Sequence, residues 1–270
     1  MARRQPKASR LAVTLYTLRD FCTGPKDTAK TLAQVRGIGY RNVQISGGGL
    51  MAVDPKDLAR MAADAGLAII GSHIGLPLMR DDFGGVVARL HAWGCTHTAI
   101  PSLPPEERGD LAAWKARAHE FTRLGKAFAA EGITLQYHNH HFEFHRFGGR
   151  GGRGGRTALE ILYALSDPKY LQAEIDTAWV ARGGGDPAAW CARMKGRMDQ
   201  VHLKDWMMLD GQPAWAEVGE GNLNWPAILA ACRKAGVRQY IVEQDDCPVT
   251  KDPFKSIAVS HRNLQAMGLG

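Results

Sequence analysis

The sequence predicts an α/β fold, a closed (β/α)₈ barrel in one domain, and three observations support this prediction. Short β-branched runs alternate eight times with longer amphipathic stretches along the 270 residues, a pattern typical of parallel strands joined by helices. Five helical stretches end in glycine just before the next strand, where a left-handed residue commonly closes a helix: Gly39, Gly66, Gly94, Gly132 and Gly236. A doubly wound open sheet would normally place a G-x-G-x-x-G loop after the first strand, and this segment contains none.

The eight predicted units follow one another in chain order. The predicted strands are Leu11–Tyr16, Asn42–Ile45, Leu67–His73, Thr96–Pro101, Ile133–His140, Leu171–Asp176, Gln200–Lys204 and Arg238–Glu243. The predicted helices are Asp27–Arg36, Pro55–Ala65, Phe83–Ala92, Leu111–Ala130, Ala158–Leu165, Pro187–Met194, Trp225–Lys234 and Pro253–Gln265. Because barrels of this type routinely occupy about 200–250 residues as one domain, we expect a single domain over residues 1–270, with residues 1–10 as a basic tail.

Composition excludes several other classes of protein. With 45% hydrophobic and 23% charged residues, the chain has the composition of a globular protein and not that of a disordered, collagen-like or coiled-coil one. It has no apolar run of about 18 residues, the length that a membrane-spanning helix needs, and Leu11–Leu18 is too polar for a secretory signal. We therefore expect a cytoplasmic protein without a membrane partner. Its five scattered cysteines include no C-x-x-C pair, so neither a disulfide framework nor a zinc knuckle is expected.

The net charge of +7 raises the question of a nucleic-acid partner. Much of the excess lies in the N-terminal tail and in a nine-residue stretch of glycine and arginine at 148–156. This stretch is similar to RNA-binding segments of the RGG type, but it is short and lies between a predicted strand and a helix. We interpret it as a loop on the rim of the barrel, and we do not expect nucleic-acid binding.

Polar residues collect where the predicted strands end. In a (β/α)₈ barrel these C-terminal ends form the active-site face. The residues concerned are His73, His138, Asn139, His140, Glu143, Glu174, Asp176, His202, Lys204 and Glu243. Polar groups are costly to bury without partners, so we expect them to meet a metal, a substrate or one another. The alternative for an individual histidine is a hydrogen-bonded core residue.

Alternation along the strands narrows the choice of metal ligands. His138 and His140 point to one side of their strand, as do His202 and Lys204 on theirs. Asp176, His202 and Glu243 come one from each of three successive strands. Two carboxylates with one or two imidazoles suit Mn²⁺, Mg²⁺, Co²⁺ or Zn²⁺.

Six short motifs in this order carry a resemblance to a known family. They are Tyr137-His138-Asn139-His140, Glu174-Ile175-Asp176-Thr177, Gly183-Gly184-Gly185-Asp186-Pro187, His202-Leu203-Lys204-Asp205, Val218-Gly219-Glu220-Gly221 and Val242-Glu243. On a barrel frame they resemble the xylose isomerase-like barrel superfamily of sugar isomerases, epimerases and keto-sugar dehydratases, which is related to endonuclease IV. The resemblance implies one divalent metal ion, Mn²⁺ foremost, held at the ends of strands five to eight. These positions fall on His138, Asp176, His202 and Glu243.

The chain departs from the family pattern at two positions. His138 stands where ketose epimerases carry glutamate, and Trp179 stands where their Asp-Thr-x-His pattern has its histidine. These features are more similar to the inosose dehydratase and keto-glycoside-processing branches. The related nuclease holds three zinc ions, and strand four here ends in Ile100-Pro101-Ser102 without a ligand. Nuclease activity is therefore not expected.

The resemblance implies an enzyme that acts on a keto-sugar or polyol through an enediolate. Reprotonation would give isomerisation or epimerisation, and loss of a β-leaving group would give dehydration or cleavage of a 3-keto-glycoside. The catalytic candidates are His140, Glu143, Lys204 and Glu243, and the substrate-binding candidates are His73, Trp179, Lys204 and Trp206. The alternative for Lys204 is a rim ion pair with Asp205 or Glu174. The alternative function is a metal-free sugar-binding protein. In either case the expected partner is a small sugar, and a homo-oligomer is compatible with the sequence.

Overall fold

The computed structural model describes residues 10–149 and 154–269, and within them eight parallel strands close into a barrel. The strands are β1 (Leu11–Thr14), β2 (Asn42–Ile45), β3 (Ala68–His73), β4 (His97–Ile100), β5 (Thr134–His138), β6 (Leu171–Asp176), β7 (Gln200–Leu203) and β8 (Gln239–Val242). Pairing of β1 with β8, with Leu11 opposite Tyr240, closes the barrel. The predicted fold class is confirmed. Apart from Arg10, the predicted basic tail lies outside the described residues.

Helices cover the outside of this barrel. They are Pro25–Ile38, Pro55–Asp64, Leu76–Asp81, Phe83–Ala92, Pro105–Arg108, Leu111–Ala130, Ala158–Leu165, Thr177–Arg182, Pro187–Arg193, Trp225–Ala235 and Pro253–Ala266. The eight predicted helices are all present, and their ends differ by a few residues at most. The five predicted helix-ending glycines all have positive φ, between 64° and 124°, a backbone conformation in which a side chain would be strained.

Two strands end two residues earlier than the sequence predicts, and three others end one residue earlier. The first strand ends at Thr14 because the chain turns into a 3₁₀ helix, Leu15–Phe21, whose first turn is capped by the Thr14 hydroxyl. The fifth strand ends at His138, so His140 lies in the following loop. Its ring still lies beside that of His138, with 5.1 Å between the ring centroids. The predicted proximity of these two imidazoles is therefore correct, although they do not share a strand.

Two hairpins project from the barrel. Asp205–Leu209 pairs antiparallel with Gln212–Ala216 directly after β7. Arg146–Phe147 pairs with Arg156–Thr157 and so joins the two ends of the glycine- and arginine-rich stretch. Residues 150–153 of that stretch lie outside the described residues, so its role remains a prediction.

Apolar side chains fill the space between strands and helices, but the inside of the barrel is partly polar. Gln44, Gln136, Glu174 and Gln200 are buried there, beneath the strand ends that carry the candidate site. Within the part of the chain that the structure describes, no helix is both long enough and apolar enough to cross a membrane.

Candidate metal centre and active-site cavity

The four residues predicted to bind a metal converge at the C-terminal ends of β5 to β8. His138, Asp176, His202 and Glu243 each offer one ligand atom, and these four atoms lie within 4.8 Å of one another. The exposed fraction of each residue is 3% or less. Asp176 and His202 are directly opposite in the register of β6 and β7, so closure of the sheet places them side by side. This buried cluster has the donor set of a divalent-metal site.

Hydrogen bonds on the far side of each imidazole turn the free nitrogen toward the cluster. His138 donates from Nδ1 to the Pro101 carbonyl oxygen at 3.1 Å. His202 donates from Nε2 to Gln44 Oε1 at 2.9 Å, because the Gln44 amide nitrogen is occupied by Glu174 Oε1 at 2.7 Å. Such outer partners fix the tautomer of metal-binding histidines. Both inner nitrogens face carboxylates of the cluster: His202 Nδ1 lies 2.8 Å from Glu243 Oε2, and His138 Nε2 lies 3.5 Å from Asp176 Oδ2.

Asp176 uses its two carboxylate oxygens differently. Oδ1 accepts from the Trp179 backbone N–H at 2.9 Å and caps the helix Thr177–Arg182. Oδ2 faces the cluster, 3.5 Å from His138 Nε2 and 3.1 Å from the Lys204 ammonium. The backbone N–H of Asp176 donates to Asn139 Oδ1. The helix cap therefore fixes one oxygen of Asp176 and turns the other toward the cluster.

Lys204 lies under the cluster and neutralises its carboxylates. Its ammonium nitrogen is 2.6 Å from Glu243 Oε1 and 2.5 Å from Asp245 Oδ2. Asp176 Oδ2 lies 3.1 Å away. Although burial opposes the charge, these three carboxylates raise the pKa of Lys204. The residue is fully buried, lies among the candidate ligands and does not line the cavity. Among the described residues it forms no ion pair with Asp205 or Glu174, the predicted alternative.

The carboxylates also determine the charge of the cluster. Burial by itself lowers the pKa of His202, but Glu174 and Glu243 outweigh it and raise the pKa to about 10. Burial raises the pKa of Asp176, but Lys204 and His138 lower it further, so the net pKa lies below the ordinary value. The carboxylates of the candidate ligands therefore stabilise positive charge at this position. A divalent cation would supply that charge in place of the proton on His202.

A second hydrogen-bond network, formed by His73, Glu174 and Ser46, adjoins the candidate metal centre. His73 Nε2 lies 2.7 Å from Glu174 Oε2, and His73 Nδ1 lies 3.1 Å from the Ser46 hydroxyl. Its ring stacks on that of His202, with 5.1 Å between centroids. Burial lowers the pKa of His73 despite the charge on Glu174.

A cavity of about 270 Å³ opens above the cluster. It is lined by the titratable residues His73, His138, His140, Glu243 and Asp245 and by Tyr16, Ser46, Gly47, Pro101 and Ser102. This volume is slightly below the range of about 300–1,000 Å³ that is usual for small-molecule sites. The cavity therefore suits one small ring or an open-chain sugar.

His140 and Glu143, both predicted to be catalytic, have different surroundings. His140 lines the cavity, and its Nδ1 atom has no hydrogen-bond partner among the described residues. Burial and then the charges on His138 and Lys204 hold its pKa well below the ordinary value. Glu143 is fully buried and does not line the cavity. It accepts from the Tyr137 hydroxyl at 2.8 Å and from the His140 N–H at 2.9 Å, and burial raises its pKa to about 7.

The tryptophans lie beside the cavity and not in its lining. Trp179 is 8% exposed and packs between His140, at 4.8 Å, and Trp215, at 4.6 Å. Trp206 packs on the far side of Trp215 and lines a neighbouring groove. Of the predicted substrate-binding residues, His73 alone therefore borders the cavity directly.

Sequence reasoning placed Glu174 on the active-site face but gave it no supporting role, and it missed two other residues of the site. Glu174 stands two positions before Asp176, so alternation along β6 puts both on the same side. Gln44 and Ser46 lie on β2 and just beyond it, and no local pattern marks them. Their roles arise from partners more than 25 positions away in the chain.

The fold and the cluster together define a (β/α)₈-barrel protein with a buried candidate metal centre at the active-site face. The family model of the xylose isomerase-like TIM barrel matches residues 32–250. The chain therefore belongs to the xylose isomerase-like TIM barrel family, as the motifs indicated.

Individual relatives agree with this assignment. The rhizopine catabolism protein MocC of Rhizobium meliloti is 26% identical over 183 residues, which are 62% of this chain and 53% of that protein. The chain thus matches about half the length of this curated relative. The structure of a sugar phosphate isomerase/epimerase from Parabacteroides distasonis is 25% identical with a TM-score of 0.80, covering 98% of this chain and 96% of the other. An L-ribulose 3-epimerase shares the fold at 15% identity, with a TM-score of 0.69 and coverage of 97% and 95%.

Proposed function

We propose that the chain is an enzyme that depends on one divalent metal ion, Mn²⁺ foremost, and acts on a keto-sugar or polyol in the cavity. One observation carries this proposal. Two imidazoles and two carboxylates, all buried, offer four ligand atoms within 4.8 Å of one another beside a cavity of about 270 Å³. This convergent donor set suits a divalent cation, and a cation at its centre would contact all four residues.

The residues around the cavity fit removal of a proton next to a carbonyl. A cation bound by the four ligands would supply Lewis acidity to a carbonyl oxygen and a neighbouring hydroxyl. His140 is the general base of the proposal, because its imidazole lines the cavity with a free nitrogen and burial favours its neutral form. Glu243 borders the same cavity and is the second acid/base candidate. His73 is placed to contact a substrate hydroxyl.

Two predicted catalytic residues take positioning roles in this proposal. Lys204 holds Asp176 and Glu243 in place and neutralises them from beneath. Glu143 holds the loop that carries His140 through the His140 backbone N–H. Neither side chain reaches the cavity, so neither is expected to touch the reacting atoms.

The proton taken by His140 leaves an enediolate with two outcomes. Return of this proton to the neighbouring carbon gives an isomer. An epimer instead requires a proton delivered to the opposite face of the same carbon, for which Glu243 is the candidate. Departure of a group β to the carbonyl gives dehydration or cleavage of a 3-keto-glycoside. His138 replaces the glutamate of the ketose epimerases, which favours elimination. The sugar substrate, the cytoplasmic location and a homo-oligomeric state stay predictions.

Metal content and proton exchange test the proposal independently. We expect elemental analysis of protein purified without a metal-affinity tag and then loaded with Mn²⁺ to give about one ion per chain. Asp176→Asn should lose the ion, and the exposed helix-capping variant Asp186→Asn should keep it. Proton abstraction is then followed by NMR as incorporation of solvent deuterium into a panel of keto-sugars in D₂O.

Each outcome has a distinct meaning. One ion with deuterium incorporation in wild type, and neither in Asp176→Asn, supports the enzyme. No ion after loading leaves the alternative, a metal-free sugar-binding protein. About three zinc ions would instead point to the nuclease branch. Deuterium incorporation that survives removal of the metal refutes the proposed mechanism.

A further inference from the structure

A second concave surface lies next to the cavity, on the same rim of the barrel. We call it the Trp groove; it has a volume of about 540 Å³ and is lined by Arg182, Trp206, Pro213, Trp215, Asp246 and Pro248. The active-site proposal uses none of these residues. Asp245 lines the cavity, and its neighbour Asp246 lines the groove. The two spaces are therefore adjacent.

Arg182 stands at the centre of the groove with unused hydrogen-bond donors. Its guanidinium carbon lies 5.0 Å, 5.5 Å and 5.4 Å from the ring centroids of Trp179, Trp206 and Trp215. Over residues 10–149 and 154–269 the Arg182 guanidinium forms no hydrogen bond or ion pair with another residue. Three indoles thus hold the planar cation by cation–π contacts, while its five N–H donors remain available to a ligand.

The hairpin that carries Trp206 and Trp215 is anchored firmly to the barrel. Its first residue, Asp205, is fully buried. The Asp205 carboxylate accepts hydrogen bonds from the backbone N–H groups of Trp206, Gly219, Gly221 and Leu223 and from the Trp225 indole. Because these bonds fix the base of the hairpin, the indoles are positioned before a ligand binds, which reduces the entropy lost on binding.

Two indoles connect the groove with the metal centre. The ring centroids of Trp179 and Trp215 lie 5.2 Å and 5.1 Å from Lys204 Nζ, and 5.0 Å and 5.4 Å from the Arg182 guanidinium carbon. Lys204 in turn contacts the ligands Asp176 and Glu243. A molecule bound in the cavity would reach Arg182 by extending one ring past the edge of Trp215.

We propose that the Trp groove binds the second ring of a glycoside whose first ring occupies the cavity. This inference rests on the proposed function and specifies its substrate as a two-ring sugar. The cavity of about 270 Å³ holds one ring, so a second ring must lie outside it. Flat indoles suit the apolar C–H face of a sugar, while the Arg182 donors and the Asp246 carboxylate suit its hydroxyls. The carboxylates of Asp245 and Asp246 on this rim disfavour a phosphate in the same place.

Saturation-transfer NMR and calorimetry with cellobiose, maltose and trehalose, each compared with glucose, test the groove. We expect at least one disaccharide to bind about tenfold more tightly than glucose, an increment of the size that one good contact provides. Arg182→Ala and Trp206→Ala should each remove that increment and leave glucose affinity unchanged. Arg193→Ala is the matched control, because it removes an exposed arginine from over the Trp190 ring, 4.6 Å away, and Arg193 lines neither the groove nor the cavity.

The same titrations with Asp176→Asn separate the two proposals. A disaccharide increment that depends on Arg182 and persists in Asp176→Asn supports the groove independently of the metal centre. The same increment in a wild-type protein that binds no metal and shows no turnover supports the groove and refutes the proposed enzyme. Metal binding and keto-sugar turnover with no disaccharide increment, or with equal losses for glucose and disaccharide in Arg182→Ala, overturns the groove and leaves the enzyme standing.

Discussion

Replacing Asp176 by asparagine and by alanine separates the two tasks of its carboxylate. Oδ1 caps the helix Thr177–Arg182, and Oδ2 faces the metal centre. Asparagine retains an oxygen for the cap but lacks the negative charge that a divalent ion requires. Alanine loses both. The two variants should therefore bind Mn²⁺ equally poorly and differ in stability.

The magnitudes follow from the two contacts. A helix N-cap contributes about 1 kcal/mol, which for a domain of this size corresponds to a Tm difference of about 2–4 °C. Asp176→Ala should therefore melt about 2–4 °C below Asp176→Asn without metal. A ligand at a hundred times its Kd stabilises a protein by about 2.7 kcal/mol, so saturating Mn²⁺ should raise the Tm of the wild type by roughly 5–10 °C. Neither Asp176 variant should show that rise.

Thermal unfolding with and without Mn²⁺ measures both effects. Asp186 provides the control, because its Oδ1 caps the helix Pro187–Arg193 by accepting from the Ala188 and Ala189 N–H groups and is exposed, away from the cluster. Asp186→Ala should lose about 1 kcal/mol of stability, the contribution of one helix N-cap, and its Tm should still rise fully with Mn²⁺. A full Mn²⁺ response in Asp176→Asn would refute the ligand assignment. Equal melting of Asp176→Asn and Asp176→Ala without metal would refute the cap argument.

Three further predictions follow from the charges of the site. Mn²⁺ binding should release about one proton at pH 8, because the His202 pKa of about 10 keeps that imidazole protonated without metal; calorimetry in buffers of different ionisation enthalpy measures this, and zero release would contradict it. Lys204→Met should lower the free energy of unfolding in EDTA by about 3–5 kcal/mol, because it leaves buried carboxylates uncompensated, and the deficit in urea unfolding should shrink with Mn²⁺. Glu143 has its pKa raised to about 7, so the folded state retains a proton that the unfolded state releases, and stability falls as pH rises from about 4.5 to 7. Relative to Glu143→Gln, the wild type should lose at most about 3 kcal/mol over this window, and parallel urea curves at both pH values would refute the assignment.

The sequence by itself determined the barrel and the four converging candidate ligands. Strand and helix periods, and glycines such as Gly66 that end helices, are local properties that need no partner to be recognised. Ligands at strand ends are predictable for a related reason: once eight parallel strands close, His138, Asp176, His202 and Glu243 must meet at one end. The family resemblance identified which strand ends to compare.

Only the tertiary structure decided what each side chain of the site contacts. Lys204 and Glu243 are 39 positions apart, and His73 and Glu174 are 101 apart, so closure of the barrel and not local sequence pairs them. Glu143 contacts Tyr137, only six positions earlier, because the loop after β5 folds back on that strand, and Arg182 forms no ion pair within the described residues. The period of a strand determines the face on which a residue lies, whereas the partner on that face depends on the register of distant strands and on the loops above them. Long-range packing therefore decides which residues are candidate ligands, which support them and which line the adjoining groove.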